Sequence, residues 1–205
     1  MPEVLSYHRN VSVRLIMDTP QTVFFFGKPG SGKGTQAKLL AEKTGWPMYG
    51  SGDQFRAIAA EDTPAGRRTC LEMDQGLLSP PWFAQYLFLK VLFSIPRDQS
   101  VIFDGFNRKI EEAELIFSAA EFLERPFVVI NINVSDEEVH ARLDDRKAVS
   151  GRPDDHSVST RLEEYETYTA NALDVFRKGG VVIDVDGSKP KEDIARDIEK
   201  ALRLA

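Results

Sequence analysis

The stretch that decides the fold reads Gly27-Lys-Pro-Gly-Ser-Gly-Lys-Gly-Thr35. It follows an apolar run, Thr22-Val-Phe-Phe-Phe, which predicts a buried strand, and it leads into an amphipathic run over 34–44, which predicts a helix. Glycines let a backbone wrap closely around phosphate oxygens, and the N-terminus of the following helix adds partial positive charge. The stretch therefore predicts a loop that binds the phosphates of a nucleoside triphosphate. The residues expected to contact the triphosphate are Gly30, Ser31, Gly32, Lys33, Gly34 and Thr35.

The residue after Lys33 departs from the general phosphate-loop pattern. Gly34 occupies the position at which that pattern has a hydroxyl residue, and the hydroxyl comes one residue later, at Thr35. The alternative interpretation is a glycine-rich turn that only links a strand to a helix. The strand before the loop and the helix after it favour phosphate binding, with Lys33 reaching the β- and γ-phosphates.

Four further apolar runs predict strands. They cover 47–50, 100–104, 127–134 and 181–185. The runs are continuous rather than alternating, which is typical of strands covered on both faces in a parallel sheet. Because helical patterns fill the gaps between them, we predict an α/β fold with a doubly wound, five-stranded parallel sheet and helices on both faces. Ligands of such sheets bind at the carboxyl ends of the strands.

Composition limits the classes of partner. The chain has 205 residues with 26 basic and 32 acidic side chains, a net charge of −6. An acidic chain is a poor general binder of nucleic acid or of an anionic membrane, so we expect neither as a partner. Cys70 is the only cysteine, which excludes a cysteine-based zinc site and fits the cytoplasm. Residues 1–20 are expected to be a disordered tail, or the true start is Met17.

Five strings of sequence occur in the order in which one known family has them. They are Gly27 to Ala37, Ser51-Gly-Asp-Gln-Phe-Arg56, Asp104-Gly-Phe-Asn-Arg108, Arg142-Leu-Asp-Asp-Arg146 followed by Ser-Gly-Arg152-Pro-Asp-Asp155, and Val185-Asp-Gly-Ser-Lys189. Together they resemble the nucleoside monophosphate kinases, and within them the adenylate kinases. The similarity runs from about Val23 to the C-terminus.

The resemblance implies an architecture and a reaction. A single domain over 21–205 would carry a small flap at about 51–80 and a short lid at about 142–161. The short lid has no room for a zinc-bearing insert. The implied reaction moves the γ-phosphoryl group of ATP, with Mg²⁺, to AMP and gives two ADP. The implied protein is a monomer.

The resemblance also assigns roles to individual residues. Phosphoryl transfer depends on positioning and on neutralising a spread negative charge, which suits arginine. The residues implied in catalysis are Lys33, Arg108, Arg142, Arg146, Arg152 and Arg161. The residues implied in AMP binding are Ser51, Arg56, Leu77, Ser79, Gly105, Arg108 and Glu112. On the ATP side, Arg142 and Lys189 join the phosphate loop. Asp104, through water, and Thr35 would hold the Mg²⁺.

Some of these residues have simpler interpretations. Arg142 and Arg146 could belong to a solvated helix face, paired with neighbouring acidic side chains. Asp104 could be a helix cap or a turn residue instead of a metal ligand. A protein that binds nucleotide as a regulatory module without turnover is the alternative of a different class. The retention of Lys33, Asp104 and so many arginines favours the enzyme.

Two positions depart from the family pattern. Glu112 occupies the place of a glutamine that reads the AMP base. An ionised carboxylate only accepts hydrogen bonds and suits the two donors of guanine better than adenine. The acceptor could therefore be GMP or a pyrimidine monophosphate, unless Glu112 is protonated or turns to solvent. Asn107 replaces a proline, so we expect either a trans bond before it with a shifted Arg108, or a strained cis bond.

Overall fold

The computed structural model of the chain describes residues 22–150 and 158–204, with the side chains of 144–150 outside the description. Its centre is a five-stranded sheet with the order β2-β3-β1-β4-β5, in which all neighbouring strands run parallel. The strands are β1 (Thr22–Phe26), β2 (Met48–Gly50), β3 (Val101–Asp104), β4 (Phe127–Asn133) and β5 (Val182–Asp186). The five predicted strands and their parallel arrangement are confirmed.

Helices connect the strands. They are α1 (Lys33–Thr44), α2 (Ser51–Ala59), α3 (Pro64–Asp74), α4 (Pro81–Leu92), α5 (Ile110–Phe122), α6 (Asp136–Ser150), α7 (Val158–Glu164), α8 (Ala170–Lys178) and α9 (Lys191–Ala201). A π-helical turn, Tyr165–Thr169, joins α7 to α8. Local sequence explains several boundaries. Gly45 ends α1 in a left-handed conformation and donates its N–H to Ala41. Thr63 caps α3 by accepting from the N–H of Gly66.

Both faces of the sheet are covered, as predicted. Along β1, Val23 and Phe25 pack in a core with α1 and α9, whereas Phe24 and Phe26 pack in a second core with α4, α5 and α8. The second core is rich in phenylalanine, and the ring of Phe24 stacks on that of Phe103 at 5.1 Å. Burial of each phenylalanine side chain contributes about 1.5–3 kcal/mol to the free energy of folding. The continuous apolar runs of the sequence follow from this double coverage.

The connections diverge between β1 and β3. These strands are neighbours in the sheet, with Phe25 opposite Asp104. The chain leaves β1 for α1 on one face and leaves β3 for α5 on the other. Such a divergence opens a crevice at the carboxyl ends of the strands, and it is the place where open α/β sheets bind ligands.

The expected flap and lid are described to different extents. Residues 51–80 contain α2 and α3 and the loop that follows them. Of the expected lid, 151–157 and the side chains of 144–150 lie outside the described residues, as does the expected tail over 1–20. No helix in the described part of the chain is long and apolar enough to cross a membrane.

Candidate active site

A cavity of about 1090 Å³ opens at the carboxyl ends of β1 and β3. Most residues predicted from the sequence line it. They are Gly30, Gly32, Lys33, Gly34, Thr35, Ser51, Arg56, Leu77, Ser79, Asp104, Gly105, Arg108, Glu112, Arg142 and Arg161. The fold therefore gathers side chains from β1, β3 and the helices that follow them into one cleft.

The phosphate loop forms one end of this cavity. Gly27, Gly30 and Gly32 have φ values of 140°, 83° and 90°, which L side chains rarely adopt. Gly32 precedes the first turn of α1, and no side chain caps that turn among the described residues. The first N–H groups of α1 thus face the cavity end as an anion site. Ser31 is fully buried and does not line the cavity wall.

The position of Gly34 explains the departure from the general phosphate-loop pattern. A Cβ atom on Gly34 would lie 3.0 Å from Oδ2 of Asp104. A serine or threonine there would crowd the carboxylate, so the loop carries its hydroxyl at Thr35, which also lines the cavity. Glycine at this position lets the phosphate loop and the end of β3 approach closely.

The carboxylate of Asp104 fits a hydrated cation. Its Oδ1 atom is buried, with no hydrogen-bond partner among the described residues. A buried carboxylate oxygen without a partner is costly, and a Mg²⁺ ion that keeps its waters would satisfy it. Within the described residues no group of three or more His, Cys, Asp or Glu side chains could hold a metal. A cation here would therefore take most of its ligands from water and phosphate oxygens.

Arg142 connects the phosphate loop to the loop after β5. Its guanidinium donates to the carbonyl oxygen of Ser31 at 3.2 Å and to that of Gly187 at 2.7 Å. It also pairs with Glu138, one turn earlier on α6. The interpretation as a helix-face pair is therefore correct for one contact, but the same side chain lines the cavity.

The remaining arginines of the expected lid differ in how far they are described. Arg161, on α7, lines the cavity. The side chain of Arg146 and the whole of Arg152 lie outside the described residues. Lys189 lies in the loop after β5, where its ammonium group pairs with Asp197 at 2.7 Å, and it does not line the cavity. The roles of these residues stay predictions.

The loop after β3 forms the other end of the cavity around Gly105. Ser51 donates its hydroxyl to the carbonyl oxygen of Gly105 at 2.7 Å, and Nε of Arg108 donates to the same oxygen at 2.7 Å. Gly105 has a φ of 74°, and a Cβ on it would lie 2.7 Å from Arg108 and 3.0 Å from Ser51. Glycine is therefore required for these two polar groups to meet. Arg56, on α2, lines the same end and pairs with Asp53.

Asn107 has a backbone conformation in the loop after β3 that differs from the one expected of a proline. The described residues contain no cis peptide bond, so the bond before Asn107 is trans and the cis alternative is wrong. Asn107 has a φ of 63°, a left-handed conformation that asparagine tolerates and that proline cannot adopt. Its side chain is buried and lines the cavity, with no hydrogen-bond partner for either amide atom in the described structure.

Glu112 faces the cavity from the first turn of α5. It is 3% exposed, so the alternative in which it turns to solvent is wrong. Its Oε2 accepts the backbone N–H of Arg108 at 2.8 Å, as an acidic side chain in a helical first turn often does. Burial raises the pKa of Glu112 from 4.5 to about 7, against the opposing effects of the Arg108 N–H and the charges of Arg108 and Lys109. Burial therefore favours the protonated, neutral form of this carboxyl group.

Sequence reasoning missed several residues of the cavity wall. Glu164, Tyr165 and Thr169 line it from α7 and the π-helical turn, and Phe55 lines it from α2. No motif marks these positions, although π-helical turns are frequent at functional sites. Lys28, in the phosphate loop, does not line the cavity. Its ammonium group pairs with Asp136 and Glu166, and the hydrogen bond that it donates to Asp136 is the largest of the effects that raise its pKa.

Two polar ends face each other across one cavity. One is a phosphate loop with an adjacent carboxylate, and the other carries Arg56 and Arg108. Phosphoryl groups are held by such donors, and the charge that develops during their transfer is neutralised by arginine. The fold and the site thus define a P-loop phosphotransferase of the nucleoside monophosphate kinase class.

Comparison with known proteins identifies the family. The model of the family described as adenylate kinase matches residues 25–181. The chain is 34% identical to the adenylate kinase of Hyphomonas neptunium, an alignment that covers 88% of this chain and 97% of that protein. It is 36% identical to the adenylate kinase of Maricaulis maris, with 88% and 97% covered. It is 35% identical to that of Thermus thermophilus, with 92% and 100% covered. The chain belongs to the adenylate kinase family.

Proposed function

We propose that this chain transfers the γ-phosphoryl group of ATP, bound as its magnesium complex, to AMP and so forms two ADP. The observation that carries this proposal is that one cavity joins two polar ends. The phosphate loop lies at one end, and Ser51, Gly105 and Arg108 lie at the other. Two phosphate-bearing ligands that enter from the two ends would bring donor and acceptor into line. In-line positioning is the main requirement of phosphoryl transfer.

The donor end holds the triphosphate. The N–H groups of the phosphate loop and the ammonium group of Lys33 bind the β- and γ-phosphates. Asp104, with Thr35 nearby, would hold the Mg²⁺ through water, and the ion would neutralise phosphate charge when bound. The buried, unpartnered Oδ1 atom of Asp104 supports this role.

The acceptor end holds the monophosphate. Arg108 is preoriented by its bond to Gly105, and it binds the α-phosphate together with Arg56. Arg142 and Arg161 lie on the cavity wall and stabilise the charge of the transferring group, with Arg146 and Arg152 added from the lid. The protein forms no covalent intermediate. Closure over the ligands keeps water away from the phosphoryl group.

The acceptor's base lies between apolar and polar groups. Phe55, Met73 and Leu77 supply an apolar wall, and the carboxyl group of Glu112 supplies the polar contact. A protonated Glu112 both donates and accepts, as a glutamine does, and suits adenine. An ionised Glu112 only accepts, which favours a second candidate function, phosphorylation of GMP. The burial of Glu112 in the cavity is the specific observation behind that candidate.

We expect the enzyme to act as a monomer in the cytoplasm, with nucleotides as its partners. The net charge of −6 supports the absence of a nucleic-acid partner.

A coupled assay with Mg²⁺–ATP and a panel of AMP, GMP, CMP, UMP and dAMP tests the proposal. AMP-dominated turnover supports it, and turnover dominated by GMP supports the second candidate. Inactivity on all five, with ATP still bound, would favour the regulatory module that does not turn over. Lys33→Ala is the matched control. It removes the charge at the β- and γ-phosphates and is expected to lower turnover by about a hundredfold or more while the fold is retained.

A further inference from the structure

A short loop separates the active-site cavity from a second, smaller cavity. We call residues 77–80 the acceptor loop. Leu77, Leu78 and Ser79 line the active-site cavity, and Leu77, Leu78 and Pro80 line the second cavity, of about 240 Å³, on the other side. A segment with open space on both sides lacks the packed neighbours that normally fix a backbone. Backbone hydrogen bonds tie its two ends, since Leu77 donates to Glu72 and Pro80 accepts from Phe83 and Ala84, so the position of its middle depends on side-chain bonds.

Two side chains make such bonds with the backbone of the acceptor loop. Oε2 of Glu164, the last residue of α7, accepts the N–H of Leu78 at 3.0 Å. Nζ of Lys109, just before α5, donates to the carbonyl oxygen of Ser79 at 3.1 Å. Lys109 also lies 5.0 Å from the centre of the Tyr168 ring, a cation–π contact that restricts the lysine side chain.

We propose that Glu164 and Lys109 are positioning residues that hold the acceptor loop at the distance from the catalytic arginines that the monophosphate needs. Lys109 follows Arg108 directly in the chain, so its bond ties the loop to the segment that carries the acceptor-phosphate arginine. Glu164 lies one turn after Arg161 on α7, so its bond ties the loop to the helix that carries a transfer-site arginine. This inference rests on the proposed function, in which the acceptor loop borders the monophosphate.

The chemistry of the Glu164 bond allows a sharp test. In Glu164→Gln the amide oxygen still accepts the N–H of Leu78, whereas Glu164→Ala leaves that N–H without its partner. Loss of one hydrogen bond between a charged group and a backbone N–H that positions the ligand is expected to raise the KM for AMP about tenfold. The KM for ATP should change less than about twofold, because the donor end of the cavity is untouched. Glu163→Ala is the matched control, since Glu163 is exposed and does not line the cavity.

Recovery of the AMP KM in Glu164→Gln distinguishes the hydrogen bond from the negative charge. The proposal is overturned if Glu164→Ala leaves the AMP KM unchanged, or if Glu164→Gln is as impaired as Glu164→Ala. Lys109→Met adds a second test. If both side chains hold one loop, the AMP KM of the Glu164→Ala, Lys109→Met double variant will rise by less than the product of the single effects.

Amide hydrogen exchange at Leu78 in the ligand-free protein gives a readout that does not depend on turnover. We expect exchange to be about tenfold faster in Glu164→Ala and close to wild type in Glu164→Gln. If exchange accelerates while the AMP KM stays constant, the bond holds the loop but the loop does not serve the acceptor, and the inference is wrong. If the wild type phosphorylates no acceptor at all, the proposed function itself fails, whatever the exchange data show.

Discussion

The carboxyl group of Glu112 and the backbone N–H of Arg108 are joined by a hydrogen bond of 2.8 Å. The side chain that we propose to contact the acceptor's base therefore also fixes the segment that carries Arg108, which we propose to bind the acceptor's phosphate. The same carboxyl group lines the cavity. Its protonation decides whether the cavity receives a donor or an acceptor at this point.

We predict that the choice of acceptor depends on pH. Below a pKa of about 7, the protonated Glu112 can donate to adenine, whereas above it the carboxylate accepts the two donors of guanine. The ratio of kcat/KM for AMP to that for GMP should fall by up to about a hundredfold as the pH rises from about 6 to about 8, because the ratio of protonated to ionised Glu112 falls about tenfold per pH unit. Steady-state kinetics with both acceptors measures the ratio, in which effects on ATP cancel.

The control for this prediction is Glu112→Gln. An amide does not titrate, so the variant should favour AMP with a ratio that stays constant over the same pH range. The charges that act on the pKa of Glu112 are those of Arg108 and Lys109, and the wild type and the variant both keep them. A wild-type ratio that is as flat as the variant's would contradict the role of Glu112.

The same carboxyl group makes the stability of the protein depend on pH. Its folded-state pKa of about 7 lies above the ordinary value of 4.5, so between these values the folded state holds a proton that the unfolded state has released. The stabilisation is fully present below about pH 4.5 and is lost as the pH rises through 7. Relative to wild type, Glu112→Gln should therefore gain up to about 3 kcal/mol in free energy of unfolding over this interval.

Urea denaturation of wild type and variant near each end of this interval measures the gain. Glu111→Gln is the matched control, because Glu111 is the exposed neighbour in the same helical turn and its substitution should give a constant difference. A constant difference for Glu112→Gln as well would show that the carboxyl titrates near its ordinary pKa in the folded protein.

The sequence predicts those features that a short continuous segment determines. The sheet follows from continuous apolar runs such as β1, and the phosphate end of the cavity follows from one glycine-rich loop, because both depend on neighbouring residues. The contact between Glu164 and Leu78 joins residues 86 positions apart, and no local pattern marks it. The burial of Glu112 and the pairing of Lys189 with Asp197 likewise depend on how distant elements pack. The sequence therefore could not decide whether Glu112 faces solvent, and it did not predict the Lys189 pair.

Asn107 should be replaceable by glycine but not by alanine or proline. Its φ of 63° costs an alanine about 1–2 kcal/mol and suits glycine without strain. Asn107→Gly also removes a buried amide that has no partner among the described residues. We expect Asn107→Gly to match or exceed the wild-type free energy of unfolding and to exceed that of Asn107→Ala by about 1–2 kcal/mol. Asn107→Pro should be the least stable, because proline fixes φ near −65°.

Chemical denaturation of the three variants at one pH gives the ranking, and their turnover shows whether Arg108 keeps its place. An alanine variant as stable as the glycine variant would mean that residue 107 does not hold a left-handed conformation in solution.

Gly34→Ala should impair the use of Mg²⁺ rather than the binding of the triphosphate. The added Cβ would lie 3.0 Å from Oδ2 of Asp104, so the carboxylate must shift from its position beside the phosphate loop. Displacement of a group that orients a metal ion costs about 10–100-fold in metal affinity or activity. We expect the Mg²⁺ concentration for half-maximal turnover to rise by that order, while the affinity for ATP without metal changes little. Titration of Mg²⁺ at saturating nucleotide, with ATP binding measured separately in a chelator, separates the two effects.

Asp104→Asn provides the companion variant to Gly34→Ala. If the added methyl group acts through Asp104, it will have little further effect once the carboxylate is gone, and the double variant will resemble Asp104→Asn alone. Independent, multiplicative losses would instead mean that Gly34→Ala distorts the phosphate loop itself. Alanine favours a helix more than glycine does, so Gly34→Ala should not weaken α1. A loss of activity without a loss of stability would therefore point to the contact with Asp104.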